Sequence, residues 1–202
     1  MRWRWIFFAT AALAVALVVA GWRWWKGERD RMSRYDGHIA EAAQKYDISP
    51  DLIRAVVWQE SDFDERATGR AQERGLMQVT PVAGQEWAKR EKIADFKPED
   101  LFDPHTNIFA GSWYLARSKR RWQHADEPEL FALAEYNAGR SNALRWAKDL
   151  SQPVGQAFVQ RIDYPSTKKY VASVQKRYQL YHQNRNPGPF TALWHKFKQR
   201  WR

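Results

Sequence analysis

One carboxylate in this chain stands where the periodicity of its helix asks for an apolar residue. In the run that begins at Pro50, the apolar residues Ile53, Val56 and Val57 recur at helical spacing, and Glu60 follows on the same face. We therefore expect Glu60 to point inward. Burial disfavours the charged form of a carboxyl group, so its pKa rises toward the range in which it can donate a proton at neutral pH. This is the chemistry of a general acid; the alternative is a surface glutamate at a fraying helix end.

The elements that must position Glu60 are helical. No long alternating runs between residues 35 and 184 suggest a sheet, and apolar residues recur at helical spacing. A capping residue followed by proline marks three helix starts, and other periodic runs predict further helices. The marked starts are Ser49-Pro50, Thr80-Pro81 and Asp103-Pro104. Three further helices are predicted. The first carries Ile39, Ala42, Ala43 and Tyr46; the second begins near Pro128 and ends at Gly139; the third runs from about 166 to 181, with Tyr170, Val171, Val174, Tyr178 and Tyr181 inward.

Length and charge divide the chain into one domain with two basic ends. A chain of 202 residues suffices for one domain of about 150 residues and extra segments. The net charge of +10 comprises +5 in residues 1–34, +5 in residues 185–202 and zero in residues 35–184. A nucleic-acid-binding domain would carry its excess charge on a folded face, so we expect no nucleic-acid partner. Basic ends instead suggest an anionic membrane surface. The absence of cysteine excludes thiol chemistry and disulfides.

The N-terminal segment has the pattern of a membrane anchor. An apolar run is flanked by tryptophans on both sides, and the stretch from Trp5 to Trp25 would span roughly 30 Å as a helix, about one hydrocarbon core. We predict an uncleaved transmembrane helix followed by a linker. The alternative is a signal peptide cleaved before Gly21, since Val18 and Ala20 are small enough for a processing site.

The C-terminal segment has the pattern of a basic amphipathic helix. Its aromatic and aliphatic residues fall near one helical face, and lysine and arginine occupy much of the remainder. We predict a second membrane contact in residues 185–202. The alternative is a partly disordered basic tail.

Three short motifs, the first of which contains Glu60, together resemble a known family. They are Glu60-Ser61, Gly75-Leu76-Met77-Gln78 and Ala134-Glu135-Tyr136-Asn137-Ala138-Gly139; Asp103-Pro104, Asn107-Ile108, Gly111, Tyr114-Leu115, Tyr164-Pro165 and Tyr170-Val171 accompany them. In this order and spacing, the chain resembles the catalytic domain of soluble lytic transglycosylases over about residues 36–183. The resemblance implies an all-α, lysozyme-like fold that cleaves the β-1,4 bond between N-acetylmuramic acid and N-acetylglucosamine in peptidoglycan.

The resemblance also implies roles for particular residues. Glu60 would be the sole catalytic carboxyl, which protonates the glycosidic oxygen and then takes the proton of the muramoyl C6 hydroxyl as the 1,6-anhydro ring closes. Tyr136 matches a tyrosine whose hydroxyl bonds that glutamate. Ordinary glycosidases use two carboxylates, and substrate-assisted enzymes are exceptions. The second carboxylates available near Glu60 in sequence are Asp62, Asp64 and Glu65, for which we expect structural or solvated contacts.

Five further residues are predicted to contact the substrate. Gln78 matches a glutamine that lines the sugar cleft, Asn137 follows Tyr136, and Ser61 would either orient Glu60 or cap its helix. Gly69 stands where family members often have a serine, and the neighbouring Thr68 is a possible substitute for it. Thr80 stands where the family has a methionine. Ser166, Thr167 and Lys168 also depart from the family's Glu-Thr-Arg pattern. These departures leave the catalytic carboxyl unchanged and bear on which muropeptide groups the protein contacts and on the order of glycan cleavage.

The sequence therefore predicts a lytic transglycosylase whose partner is the peptidoglycan glycan strand. A muramidase of the same fold and a non-catalytic glycan-binding envelope protein are the alternatives. The scattered histidines lack ligand spacing, and no metal or cofactor is implied. We expect the domain to lie on the outer side of the cytoplasmic membrane, anchored by residues 1–34, or to be exported after signal cleavage.

Overall fold

A computed structural model describes residues 15–23, 26–27, 30–148, 150 and 154–185. Two compact units divide at Gly37 and His38. In the first, residues 15–23, 26–27 and 30–33 are helical. None of the helices in the described part of the chain combines the length and hydropathy that crossing a membrane requires. The predicted anchor includes residues 1–14, 24 and 25, which lie outside the described residues, as do residues 186–202 of the predicted tail.

From Asp36 onward the described chain is mainly helical, as predicted, and shows no strand beyond two isolated bridges that join residues 68, 74 and 79. The α-helices are α1 (Asp36–Tyr46), α2 (Pro50–Ser61), α3 (Pro81–Glu91), α4 (Pro104–Arg121), α5 (Pro128–Ala138), α6 (Arg140–Ala147), α7 (Gly155–Arg161) and α8 (Pro165–Arg185), with a short 3₁₀ helix at Pro98–Phe102.

The three helix starts marked by proline are confirmed. α2, α3 and α4 each begin with proline in the first turn. Thr80 and Asp103 cap their helices by accepting hydrogen bonds from the backbone N–H groups of Ala83 and Thr106, at 3.2 and 2.8 Å. These bonds satisfy N–H groups that have no partner within the helix.

The core lies where α2 and α5 pack against α8. Six consecutive residues of α5, from Leu130 to Glu135, are buried, which marks it as the central helix of the domain. α2 buries Ile53, Val56 and Val57, as its periodicity predicts. α8 contacts both helices, and its residue Tyr170 lies against the end of α2 that carries Glu60.

Candidate active site

Glu60 lies in the last turn of α2, where the chain leaves the helix. Asp62 follows in the left-handed conformation, with φ of 50°, and its N–H bonds the Trp58 carbonyl at 3.0 Å. The Glu60 side chain is half-buried, and its Oε1 accepts a hydrogen bond of 2.7 Å from the hydroxyl of Tyr170 in α8. Glu60 thus points inward, as periodicity predicts, and α8 is the helix that it faces.

The environment of Glu60 raises its pKa from 4.5 to about 7. Burial is the largest cause, because it penalises the charged carboxylate. The hydrogen bond from Tyr170 lowers the pKa, and the negative charge of Glu73 raises it. At neutral pH a group with this pKa populates both protonation states, so it can act first as an acid and then as a base.

Tyr136 does not make the hydrogen bond to Glu60 that the resemblance implies. Its hydroxyl donates to the backbone carbonyl of Met77 at 2.8 Å, while Tyr170 donates to Glu60. The Met77 carbonyl therefore accepts the hydrogen bond of Tyr136, and Tyr170 of α8 donates the hydrogen bond to Glu60. Burial raises the pKa of both tyrosines well above 10, with the charge of Glu60 as the second cause, so both hydroxyls remain donors.

The loop that carries Gly75 to Gln78 is held against α4 by one buried amide. Asn107 is completely buried; its Oδ1 accepts from the Met77 N–H at 2.7 Å. Its Nδ2 donates to the carbonyls of Arg74 and Leu101, both at 2.7 Å. One side chain thus satisfies the hydrogen bonds of three backbone groups and holds the loop in position against α4.

Two glycines permit this close approach of loop and helix. Gly75 has φ of +70°, and a Cβ there would lie 2.5 Å from both Asn107 Nδ2 and the Leu101 carbonyl oxygen. A Cβ at Gly111 would lie 2.6 Å from the Met77 sulfur. Gly75 is therefore required both for its left-handed backbone and for lack of space, whereas Gly111 is required for lack of space alone.

Gln78 lies at the end of this loop and lines a cavity of about 120 Å³. Its backbone is left-handed, with φ of 47°, and its Nε2 donates to the carbonyls of Ala67 and Gly75, both at 3.0 Å. These bonds fix the amide in one orientation. The other lining residues are Val79, Thr80, Ala83, Gly111, Tyr114 and Tyr136.

Ser61 and Thr80 have contacts that stabilise the frame of the site. The Ser61 hydroxyl lies 2.8 Å from the Leu76 carbonyl and 3.1 Å from that of Val57, so it ties the end of α2 to the loop and does not orient Glu60 directly. Thr80 caps α3 and also lines the cavity.

Thr68 and Asn137 lie outside the lining of that cavity. Thr68 is exposed and pairs with Arg74 in an isolated bridge. Asn137 is exposed, and its Oδ1 accepts a hydrogen bond of 2.8 Å from the Thr167 hydroxyl at the start of α8. The structure therefore brings Gln78, Thr80 and Tyr136 to one cavity, with Glu60 near enough to Tyr136 to influence its pKa.

Gly69 makes room for a carboxylate that the sequence did not single out. A Cβ at Gly69 would lie 2.2 Å from Glu73 Oε2 and 3.0 Å from Gln78 Oε1. The half-buried Glu73 is held by a hydrogen bond of 2.8 Å from the Ala71 N–H. Any side chain at position 69 would displace this carboxylate, so the departure from serine to glycine and the position of Glu73 are linked.

A second inward glutamate, Glu135, has a different environment. It is completely buried and accepts hydrogen bonds from Ser118 at 3.0 Å, from Trp122 Nε1 at 2.8 Å and from Arg121. An opposite charge and two further donors stabilise its carboxylate. Glu135 therefore forms a structural ion pair with Arg121 in the core.

Three residues of the site were absent from the predicted set: Tyr170, Glu73 and Asn107. Tyr170 was predicted to face inward and Asn107 belongs to a motif, so each had a signal without an assigned role. Glu73 lies in a loop without periodicity, where no pattern marks it. Within the described residues, no cluster of three His, Asp or Glu side chains could hold a metal ion.

Comparison with known proteins places the chain in a family. The family model described as the transglycosylase SLT domain matches residues 37–157, more than half of the chain. The chain therefore belongs to the transglycosylase SLT domain family, and the resemblance drawn from the motifs is confirmed.

Two relatives and one solved structure show the extent of the similarity. Membrane-bound lytic murein transglycosylase F of Desulfosudis oleivorans is 34% identical over 128 residues, 62% of this chain and 26% of that protein. The X polypeptide of Escherichia coli K12 is 34% identical over 146 residues, 66% of this chain and 82% of that protein. The 70 kDa soluble lytic transglycosylase of Escherichia coli has 25% identity and a TM-score of 0.69, over 82% of this chain and 26% of that chain. This likeness confirms the mainly helical, lysozyme-like fold. The chain spans about a quarter of the first relative's length.

Proposed function

We propose that the protein is a peptidoglycan lytic transglycosylase that cleaves the β-1,4 bond between N-acetylmuramic acid and N-acetylglucosamine and leaves 1,6-anhydro-muramoyl ends. Glu60 protonates the glycosidic oxygen and then accepts the proton of the C6 hydroxyl. The observation that carries this proposal is the half-buried Glu60 carboxyl, whose pKa of about 7 suits both steps.

The surrounding residues support this assignment with distinct tasks. Tyr170 donates to Glu60 and stabilises its carboxylate form after the first proton transfer. Gln78 is oriented by its two backbone contacts, so its amide oxygen can accept a hydrogen bond from an N-acetyl N–H or a hydroxyl of the sugar. Tyr136 holds the loop that carries Gln78, and Thr80 lines the same cavity.

A muramidase is the second candidate, and Glu73 favours it. Glycosidases that use water generally need a second carboxylate, and Glu73 lies near enough to Glu60 to raise its pKa. In that reaction Glu73 would activate the water that replaces the C6 hydroxyl. The same bond is cleaved, and only the product end differs.

We further propose that the catalytic domain, residues 35–184, acts in the bacterial cell envelope, on the outer side of the cytoplasmic membrane. The apolar run flanked by tryptophans supports an anchor within residues 1–34, and the basic aromatic residues of 185–202 support a second membrane contact. Membrane fractionation of cells that express the full chain, with and without residues 1–34, tests the anchor; recovery of the intact chain in the soluble fraction would contradict it.

The product ends decide between the two reactions. Purified sacculi are digested with the protein, and the released fragments are analysed by mass spectrometry. We expect 1,6-anhydro ends; reducing ends would establish the muramidase instead. The Glu60→Gln variant should release neither, whereas Glu41→Gln, which changes an exposed glutamate, should behave as the wild type. Solubilisation by Glu60→Gln at the wild-type rate would refute both mechanisms.

A further inference from the structure

A large basic pocket lies between α3 and α4, beside the cavity that Gln78 lines. It has a volume of about 670 Å³ and is lined by Glu86, Lys89, Arg90, Lys92, Trp113, Arg117 and Arg120. These residues carry five positive charges and one negative charge. Because residues 35–184 have no net charge, this concentration of cations is a local feature of the domain.

Three of the cations are available to a ligand. Arg117 is paired with Glu86, and Arg120 donates to the Tyr46 carbonyl at 3.2 Å. No ion pair with a carboxylate involves Lys89, Arg90 or Lys92 within the described part of the chain, and all three are exposed. Cations at a helix end also offset the helix dipole, which accounts for Lys89 and Arg90 in the last turn of α3. The dipole does not account for their convergence with Arg117 and Arg120 from α4 on one concave surface.

The pocket continues the cavity of Gln78 along the same two helices. On α3, Ala83 lines the cavity of Gln78 and Glu86, one turn further, lines the basic pocket. On α4, Tyr114 lines that cavity and Arg117, also one turn further, lines the pocket. The Arg117 guanidinium lies 5.6 Å from the centre of the Tyr114 ring, so the two surfaces meet at this contact.

We propose that this pocket binds the carboxylates of the peptide attached to the glycan strand. The inference rests on the proposed function, because it assumes a peptidoglycan strand in the cleft. Such a peptide branches from the sugar chain and carries several carboxylates, so a strand seated at Gln78 presents negative charge along the groove. Arginine and lysine side chains on a concave surface attract carboxylates, and arginine can bind them through two parallel hydrogen bonds.

Binding by the full-length chain tests the pocket without requiring cleavage. The Glu60→Gln background prevents turnover, and the probes are an uncrosslinked disaccharide-tetrapeptide and the same disaccharide without its peptide. The double variant Arg90→Gln, Lys92→Gln removes two charges, and the matched control Lys169→Gln, Lys176→Gln removes two exposed charges from α8. We expect the pocket variant to weaken tetrapeptide binding about tenfold at low salt, and less at high salt, because two exposed charge contacts are lost.

The outcomes separate this inference from the proposed function. Equal loss for both probes, or no loss for either, would overturn the peptide assignment. If the wild type released no fragments from sacculi but the pocket variant still lost affinity for the tetrapeptide probe alone, the proposed reaction would fail and the binding site would stand.

Discussion

Replacing Glu60 by Gln should stabilise the protein at alkaline pH and have a smaller effect at acidic pH. The pKa of Glu60 is about 7 in the folded protein and 4.5 as its ordinary value. The folded state therefore holds a proton that the unfolded state releases between these values. The stability associated with the raised pKa is fully present below about pH 4.5 and is lost as pH rises through about pH 7.

The magnitude follows from the size of the shift. A difference of about 2.5 units corresponds to about 3 kcal/mol at 1.36 kcal/mol per unit, and part of it is already lost near pH 5. The stability of the wild type should therefore fall by about 2 to 3 kcal/mol between pH 5 and pH 8 from this group alone. Because Glu60 is only half-buried, solvent makes this an upper value.

Urea unfolding followed by tryptophan fluorescence measures the effect. The free energy of unfolding is compared for wild type and Glu60→Gln near pH 5 and near pH 8, with Glu41→Gln as the control for an exposed glutamate. We expect the free energy of unfolding of Glu60→Gln, relative to that of the wild type, to increase by about 2 to 3 kcal/mol from pH 5 to pH 8. A difference in the free energy of unfolding that stays constant with pH would show that the pKa of the Glu60 carboxyl is not raised by folding. The physical basis for Glu60 as the general acid would then be removed.

Three other predictions concern the surroundings of Glu60. Tyr170→Phe removes the hydrogen bond that lowers the pKa of Glu60, so the alkaline limb of the pH–activity profile should move up by about one unit; an unchanged or lowered limb would contradict this role. Glu73→Gln removes a negative charge and should move the same limb down, and a shift upward would exclude the repulsion. Asn107→Ala leaves three backbone groups, including the Met77 N–H, without their partner and should lower the free energy of unfolding by about 2 to 4 kcal/mol, measured by urea titration; a loss below about 1 kcal/mol would mean that the loop is held by other contacts.

The sequence predicted six of the helices and the family because both depend on local order, whereas α6 and α7 were not predicted. Proline in the first turn marks the starts of α2, α3 and α4, although the Ser49 side chain makes no capping hydrogen bond, and the spacing of apolar residues identifies the buried face of α2. The motifs that carry the resemblance are short and contiguous, so they can be read without knowing which helices pack together.

Tertiary structure decided the partners of each inward carboxylate. Glu60 and Glu135 both interrupt apolar helical runs, and periodicity cannot distinguish them. Packing places Glu135 among Arg121 and Trp122, where its charge is compensated, and places Glu60 against Tyr170, where burial raises its pKa. Contacts across 110 residues, such as that between Glu60 and Tyr170, depend on how α8 crosses α2 and leave no trace in local spacing. The chemistry of a carboxyl group follows from its charge partners and its exposure to solvent, and only the folded chain sets these.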